Sequence, residues 1–185
     1  MNKFNIIVAM CRNNGIGNNG KLPWHIKDDL KYFSNLTKGD GNNAVIMGNT
    51  TWKGLPLSKG KSRGLHDRHN FVLSNTDSFD IAMNQGREIK TFKNIAELEI
   101  YLTDCDIYED IWVIGGENVY KQFLEMGKIS KCYITHIDKA FECDTFFPVL
   151  DSSEWKEIER IENYDITYNC EVSYVVYEKI INHKS

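Results

Sequence analysis

A single aspartate, two glycine-rich turns and one arginine hold most of the chemistry open to this 185-residue chain. Across residues 28–37 the apolar spacing predicts a helix. Asp29, Phe33 and Leu36 stand at i, i+4 and i+7 with Leu30 beside them, while Asp28, Lys31 and Asn35 take the wet side. Asp28 suits an ordinary first-turn role, capping the helix or answering its dipole. Asp29 does not, because an ionised carboxylate on an apolar stripe is costly unless a cation, such as a protonated heterocycle, pairs with it.

The stretch Gly15-Ile16-Gly17-Asn18-Asn19-Gly20 fits G-x-G-x-x-G and follows an apolar run, as a dinucleotide fingerprint should. That fingerprint needs its last glycine to open a helix facing a pyrophosphate. Lys21-Leu22-Pro23-Trp24 follows instead, and Pro23 pushes Leu22 towards extended backbone, so the ordinary Rossmann reading fails. A glycine-rich mobile loop ending in Pro-Trp remains. The second phosphate-type signal is Ile111-Trp112-Val113-Ile114-Gly115-Gly116-Glu117-Asn118-Val119-Tyr120, a strand that ends in Gly-Gly and enters a helix. Backbone N–H groups there can meet an anion, and glycine permits close approach; a plain tight turn is the bland alternative. Taken singly, Arg68 reads as a solvated residue at a strand entrance, Tyr120 as a core tyrosine, and Thr135 as a threonine placed by strand propensity.

The elements that must position these groups alternate along the chain. Apolar runs at 4–10, 44–47, 70–74, 111–114 and 131–137 read as buried strands, and helical patterns fall at 28–37, 51–55, 95–103 and 118–126. That alternation predicts an α/β domain with a largely parallel central sheet. The tail changes character: residues 155–164 and 170–180 alternate apolar and polar, which predicts a closing antiparallel hairpin with its turn near Asn163-Tyr164-Asp165. The glycines and charges of 56–67, including Lys59-Gly60-Lys61, predict a surface loop. With 42% hydrophobic and 26% charged residues, the chain has the makeup of one soluble globular domain over 1–185.

Several function classes fall away on composition. A net charge of −4 gives no general attraction for nucleic acid or anionic membrane. No segment approaches the ~20 apolar residues that cross a bilayer. Cys11, Cys105, Cys132, Cys143 and Cys170 are scattered and odd in number, without a C-x-x-C pair, and the histidines lack ligand spacing. Reduced cytosolic thiols and no metal are expected. The run 4–11 is interrupted by Asn5 and lacks a small-residue cleavage site, so it reads as a core strand and not a signal peptide.

Leu22-Pro23-Trp24, Asp29-Leu30 with Phe33, Val45-Ile46-Met47-Gly48 with Thr51-Trp52, Arg68-His69-Asn70-Phe71-Val72-Leu73-Ser74, Ile114-Gly115-Gly116 with Val119-Tyr120, Ile134-Thr135-His136-Ile137 and Asp144-Thr145-Phe146-Phe147-Pro148 together resemble dihydrofolate reductase. They occur in that family's order and cover nearly the whole chain. The resemblance implies a three-layer α/β sandwich, NADPH as cofactor, and hydride transfer to C6 of dihydrofolate while N5 acquires a proton. It also implies antifolate binding, methotrexate included, and a cytoplasmic monomer. Asp29 would then face the pterin, with the Thr135 hydroxyl holding its carboxylate and Trp24 fixing a water beside the substrate. Ile7, Val8 and Ile114 would line the pterin, largely through backbone carbonyls, and Leu30, Phe33, Leu55 and Leu65 would wall the aryl ring. Arg68 would form a bidentate pair with the α-carboxylate of the glutamate tail.

For the cofactor, the resemblance implies that the main chain of Ala9 meets the nicotinamide carboxamide and that Tyr120 places its ring nearby. The loop Gly15, Ile16, Gly17, Asn18, Asn19, Gly20, Lys21 and Leu22 would open and close over the nicotinamide. Ile114, a cis Gly115-Gly116 bond, Glu117, Asn118 and Val119 would hold the pyrophosphate, and Gly48, Asn49, Thr50, Thr51, Leu73, Ser74, Asn75 and Lys93 would line the adenosine end. Two departures stand out. Asp67 replaces the glycine usual before the arginine, adding a negative charge near a carboxylate site. Asn49-Thr50 and Asn75 replace common cations around the 2′-phosphate, leaving Lys93 as the matched cation, with Ser74 and Thr76 hydroxyls and backbone donors to hold the anion. The riboflavin-pathway pyrimidine reductase shares the fold, but Pro23-Trp24, Asp29-Leu30 and Arg68 argue against it. An idle folate-binding or RNA-binding module is weakened by the intact Asp29, Thr135 and Gly115-Gly116 set and by the acidic charge.

Overall fold

Strands covered on both faces read as unbroken apolar runs, and the first two-thirds of the chain is built from them. The structure, a computed structural model, describes residues 4–58, 62–82, 87–105 and 107–181; Lys59, Gly60 and Lys61 lie outside the described residues. The chain runs β1 (Phe4–Cys11), β2 (Gly15–Gly17), α1 (Lys27–Lys38), β3 (Ala44–Gly48), α2 (Asn49–Gly54), β4 (Leu57–Ser58), β5 (Ser62–Arg63), β6 (His69–Leu73), β7 (Asp80–Ala82) and β8 (Glu88–Phe92). It continues through α3 (Ile95–Asp104), β9 (Ile111–Val113), α4 (Glu117–Glu125), β10 (Ile129–Ile137), β11 (Thr145–Phe146), β12 (Trp155–Asp165) and β13 (Cys170–Lys179).

Nine strands form one sheet in the order β12-β13-β10-β1-β9-β3-β6-β8-β7. From β10 to β8 every neighbouring pair is parallel. The β12–β13 hairpin closes one side and β7 edges the other, each through antiparallel pairing. The alternation of a strand sorts its side chains between two layers. Along β3, Ala44 and Ile46 pack with Leu98 and Leu102 of α3 and Val119 and Phe123 of α4. Val45 and Met47 pack on the other face with Phe33 and Leu36 of α1 and Trp52 of α2. The result is the expected three-layer α/β sandwich.

Chain order reverses around β1, which lies between the late strands β9 and β10. Open α/β sheets bind ligands beyond the carboxyl ends of their strands at such a reversal. Gly48 and Leu73 close β3 and β6, Ile114 follows β9, and Ala9 lies two residues before the end of β1, so all four stand towards that carboxyl edge.

The differences from the sequence reading have physical reasons. The helix expected at 51–55 starts at Asn49 and ends at Gly54, with the Leu55 N–H bonded to the Trp52 carbonyl as it caps. The hairpin turn falls at 166–169, with Asn169 at φ +52, and not at 163–165. Within the 15–22 loop, β2 pairs with β11, and residues 18–21 close a tight turn through Asn18 N–H to Lys21 O at 2.9 Å and Lys21 N–H to Asn18 O at 3.1 Å. Asn19 at φ +50 and Gly20 at φ +75 suit the primed hairpin turn that Asn-Gly favours. All five cysteines are free thiols, and no helix among the described residues is long and apolar enough to cross a membrane.

Candidate active site

Asp29 stands in the first turn of α1 and is 7% exposed. The helix docks there because Tyr32, on its next turn, packs its ring 4.4 Å from that of Tyr174 on β13. Tyr174 is the register partner of Thr135 on β10. The Thr135 hydroxyl donates to Asp29 Oδ1 at 2.7 Å, so the strand fixes the carboxylate from below. Burial raises the Asp29 pKa above its ordinary value, and the Thr135 hydrogen bond opposes that shift. Among the described residues no cation forms an ion pair with Asp29, so a ligand cation is the partner its position calls for. Asp28 is exposed and makes no cap bond. Trp24, buried against Cys11, Ile137 and Val172, has an indole N–H with no hydrogen-bond partner, a donor left over for a bound group.

Arg68 is buried too, contrary to the rim position that its sequence context suggests; it is 4% exposed. Its Nε donates to the His66 carbonyl at 2.8 Å and its Nη1 to Thr37 Oγ1 at 2.7 Å. Thr37, buried on α1, donates its own hydroxyl hydrogen to the Phe33 carbonyl at 2.8 Å, which turns its lone pairs towards the guanidinium. Among the described residues no carboxylate pairs with Arg68. Asp67 adopts φ +60, where glycine is favoured and Asp tolerated. Its carboxylate goes to Lys38 Nζ at 3.1 Å and is held below the usual range mainly by that bond. Desolvation pulls the Arg68 pKa down to about 10, with the Asp67 charge opposing, and the group remains charged at neutral pH. A buried guanidinium with Nη2 uncommitted is built to receive an anion.

Between these two charges runs an apolar wall. Ile7, Phe33, Leu55, Leu65 and Ile114 pack in or against the cluster on the α1 side of the sheet. Leu30 is 40% exposed and borders it from the open side. The Val8 side chain belongs to the opposite layer, so only its main chain can meet a ligand on the Asp29 side. Tyr120 lies buried and donates its hydroxyl to the Ile7 carbonyl at 2.8 Å, leaving that oxygen one lone pair for a ligand. Burial pushes the Tyr120 pKa upward, so the phenol stays neutral.

Two strand-to-helix corners face each other across the other half of the crevice. The Gly48 N–H donates to the Gly115 carbonyl at 2.8 Å, and the Gly115-Gly116 bond is cis, as expected. A Cβ at Gly115 would lie 3.2 Å from the Tyr120 ring, and one at Gly48 would lie 3.1 Å from Val119 Cγ2. Bare backbone at both corners, with the N-terminal turn of α4 beyond, fits an elongated dinucleotide whose phosphates approach the main chain. The loop from Gly15 stands over this half. The Asp144 N–H donates to the Gly17 carbonyl at 2.9 Å, and the Asp144 carboxylate accepts the Asn19 N–H at 2.9 Å. At its tip the Gly20 carbonyl comes within 2.9 Å of where a Cβ on Gly54 would be.

At the far end, the Ser74 N–H bonds to the Phe92 carbonyl, which brings Lys93 beside Ser74 and the exposed Asn75. The Lys93 backbone N–H meets Glu97 Oε2 at 3.0 Å while Asn94 caps α3 by accepting the Glu97 N–H. Here the structure adds residues that sequence reasoning missed. Lys53, one turn after Asn49 on α2, lies 3.0 Å from Asp77, and Asn49 bonds to the same carboxylate at 2.5 Å. The i, i+4 spacing of Asn49 and Lys53 was the available signal. Thr37 and Asp144 carried none, since their partners are 31 and 125 residues away.

A family model described as dihydrofolate reductase matches residues 3–179. The chain is 41% identical over 158 residues to the dihydrofolate reductase of Drosophila melanogaster, covering 83% of each chain. It is 36% identical over 186 residues to that of Heliothis virescens, covering 96% of this chain and 98% of the relative. It also matches the bifunctional dihydrofolate reductase-thymidylate synthase of Daucus carota at 38% identity, over 81% of this chain and 29% of that longer protein.

Proposed function

The chain belongs to the dihydrofolate reductase family and is an NADPH-dependent oxidoreductase that reduces dihydrofolate to tetrahydrofolate for one-carbon metabolism; from that premise we propose how its residues divide the work. Asp29 faces the pterin and stabilises positive charge on it, with Thr135 holding the carboxylate in place. The observation that carries this assignment is a buried carboxylate bonded to a threonine hydroxyl and, among the described residues, paired with no cation. Trp24 turns its spare N–H to a water beside the substrate. Phe33, Leu30, Leu55 and Leu65 wall the aryl ring, and Arg68, oriented by Thr37, takes the α-carboxylate of the glutamate tail. Ile7, Val8 and Ile114 contribute backbone to the pterin edge.

When bound, NADPH supplies the hydride delivered to C6 of the substrate. Around it the chain's tasks are orientation and exclusion of water. Ala9 and Tyr120 position the nicotinamide, the Gly48 and Gly115-Gly116 corners admit the pyrophosphate, and the 15–22 loop closes over the reacting end. Asn49, Thr50, Thr51, Leu73, Ser74, Asn75 and Lys93 line the adenosine. We place residues 1–185 in one working unit, a cytoplasmic monomer that also binds antifolates such as methotrexate. The test is NADPH oxidation followed by absorbance, with and without dihydrofolate and again with methotrexate. Dihydrofolate-dependent oxidation abolished by methotrexate is expected; oxidation indifferent to dihydrofolate would overturn the reading.

A further inference from the structure

The turn that carries Leu65 and Arg68 is held by a side chain outside it. Among the described residues, no backbone–backbone hydrogen bond closes residues 64–68. The turn kinks at two positive-φ positions, Gly64 at +127 and Asp67 at +60, so backbone preference alone would not hold it. Asn70, on β6 and 0% exposed, supplies bonds in their place. Its Oδ1 accepts the Leu65 N–H at 2.8 Å, and its Nδ2 donates to the Leu65 carbonyl at 2.9 Å and to the Arg68 carbonyl at 3.0 Å. We propose that Asn70 is a positioning residue for the substrate: through one amide it sets the spacing between the aryl wall at Leu65 and the tail cation at Arg68. The inference rests on the reading that gives those two residues the aryl ring and the glutamate tail.

The amide acts here as a peptide group would. It meets both backbone groups of Leu65, as a neighbouring strand does, and its nitrogen also reaches the Arg68 carbonyl. The strand that bears it is fixed on both sides, since Asn70 is the register partner of Val45 on β3 and of Ile89 on β8. The clamp therefore ties the turn to the parallel sheet. Arg68 is held at two points, its main chain by Asn70 and its guanidinium by the His66 carbonyl and Thr37. Without the amide, the Leu65 N–H and two carbonyls lose their partner, and a turn that moves to find others takes both substrate contacts with it. Aspartate is the informative replacement. Its carboxylate keeps an acceptor for the Leu65 N–H but sets oxygen against two carbonyl oxygens that need a donor. The loss falls on binding and not on hydride transfer, because the aryl ring and the tail lie away from C6 and N5 and are held alike in ground and transition states.

The experiment measures steady-state kinetics and NADPH affinity in the full chain and in Asn70→Ser and Asn70→Asp variants, each checked for folding by circular dichroism. The substrates are dihydrofolate and a dihydropterin that lacks the aryl ring and the tail. Both variants should raise the KM for dihydrofolate about tenfold, with kcat within about threefold of the parent. The dihydropterin KM and the NADPH Kd should stay within about twofold. In an Arg68→Leu background Asn70→Ser should cost only about threefold, because the tail contact that it positions is already gone. An unchanged KM for dihydrofolate, a dihydropterin KM or NADPH Kd that rises in parallel with it, or an undiminished cost in the Arg68→Leu background would overturn the inference and leave the reductase reading intact. Should neither variant fold, amide hydrogen exchange in the substrate-free parent decides. The Leu65 N–H should be protected as strongly as the His69 N–H, which is bonded to the Asn43 carbonyl, and free exchange at Leu65 would overturn the inference. A parent chain without dihydrofolate-dependent NADPH oxidation would overturn the reading of the crevice, and this inference with it.

Discussion

At the scale of single residues, two buried charges of opposite sign define the site, and each has a cost that a ligand offsets. The Asp29 pKa is raised by burial, so the folded state holds its proton more tightly than the unfolded chain does. Its contribution to stability is therefore fully present below the unfolded value of 3.8 and is lost as pH rises through the raised folded value. Asp29→Asn should melt higher than the parent at neutral pH, by about 2–4 °C for each kcal/mol relieved, and the gap should close as pH falls towards ~4. Thermal melts across that range check it; a gap that is constant with pH would assign the effect to packing. Arg68→Leu should raise the KM for dihydrofolate about 10²-fold with kcat within a few fold, since a tail contact is present in ground and transition states alike. Thr37→Val should do the same more weakly, roughly tenfold, because it removes one acceptor that orients the guanidinium. A tail-less pterin should be indifferent to both, and equal damage to its turnover would mark Arg68 as structural. Asp29 was legible in the sequence because its apolar spacing made an acid conspicuous. Thr37 was not, because a threonine at a helix end looks the same whether or not an arginine from another element finds it.

At the scale of elements, the 15–22 loop proposed to close over the cofactor is held by contacts that can be loosened one at a time. Asp144→Ala removes the acceptor of the Asn19 N–H. Gly54→Val places side-chain atoms against the Gly20 carbonyl, which already stands 2.9 Å from the first of them. Both should speed NADPH release and lower kcat, each by about fivefold, the first by loss of one hydrogen bond at the loop and the second by displacing the loop sterically. Stopped-flow displacement of NADPH measures the first effect directly, and unchanged release in both variants would show that the loop does not gate the cofactor. The strands of the parallel core were readable as apolar runs, but β2 and β8 were not. Gly15-Ile16-Gly17 has two residues without side chains, and its pairing with β11 depends on a segment far along the chain. Glu88–Phe92 buries only Ile89 and Phe92, so two adjacent polar residues break the alternation and hide a strand that is parallel to β6.

At the scale of the whole molecule, the site exists because sheet order brings together residues that the sequence keeps apart. Asp29 and Thr135 meet across 106 positions, and Tyr120 reaches the Ile7 carbonyl across 113. No local periodicity encodes that β9 inserts between β1 and β3 while β10 takes the far side of β1. The largely parallel sheet followed from residue patterns and the three layers from the family resemblance, whereas the strand order came from neither. Its consequence is that one buried carboxylate is fixed by the strand beneath it, and the proposed function makes it the ionisable group that faces the pterin. The most direct test is the single-turnover rate of hydride transfer from NADPH to dihydrofolate at neutral pH in the parent, Asp28→Asn and Asp29→Asn proteins. Asp29→Asn should lose about 10²- to 10⁴-fold while still binding NADPH, because an amide cannot pair with a protonated pterin as a carboxylate does. Asp28→Asn should stay within about twofold of the parent, as expected for an exposed first-turn acid. Equal losses in the two variants, or an Asp29→Asn rate near that of the parent, would contradict the account.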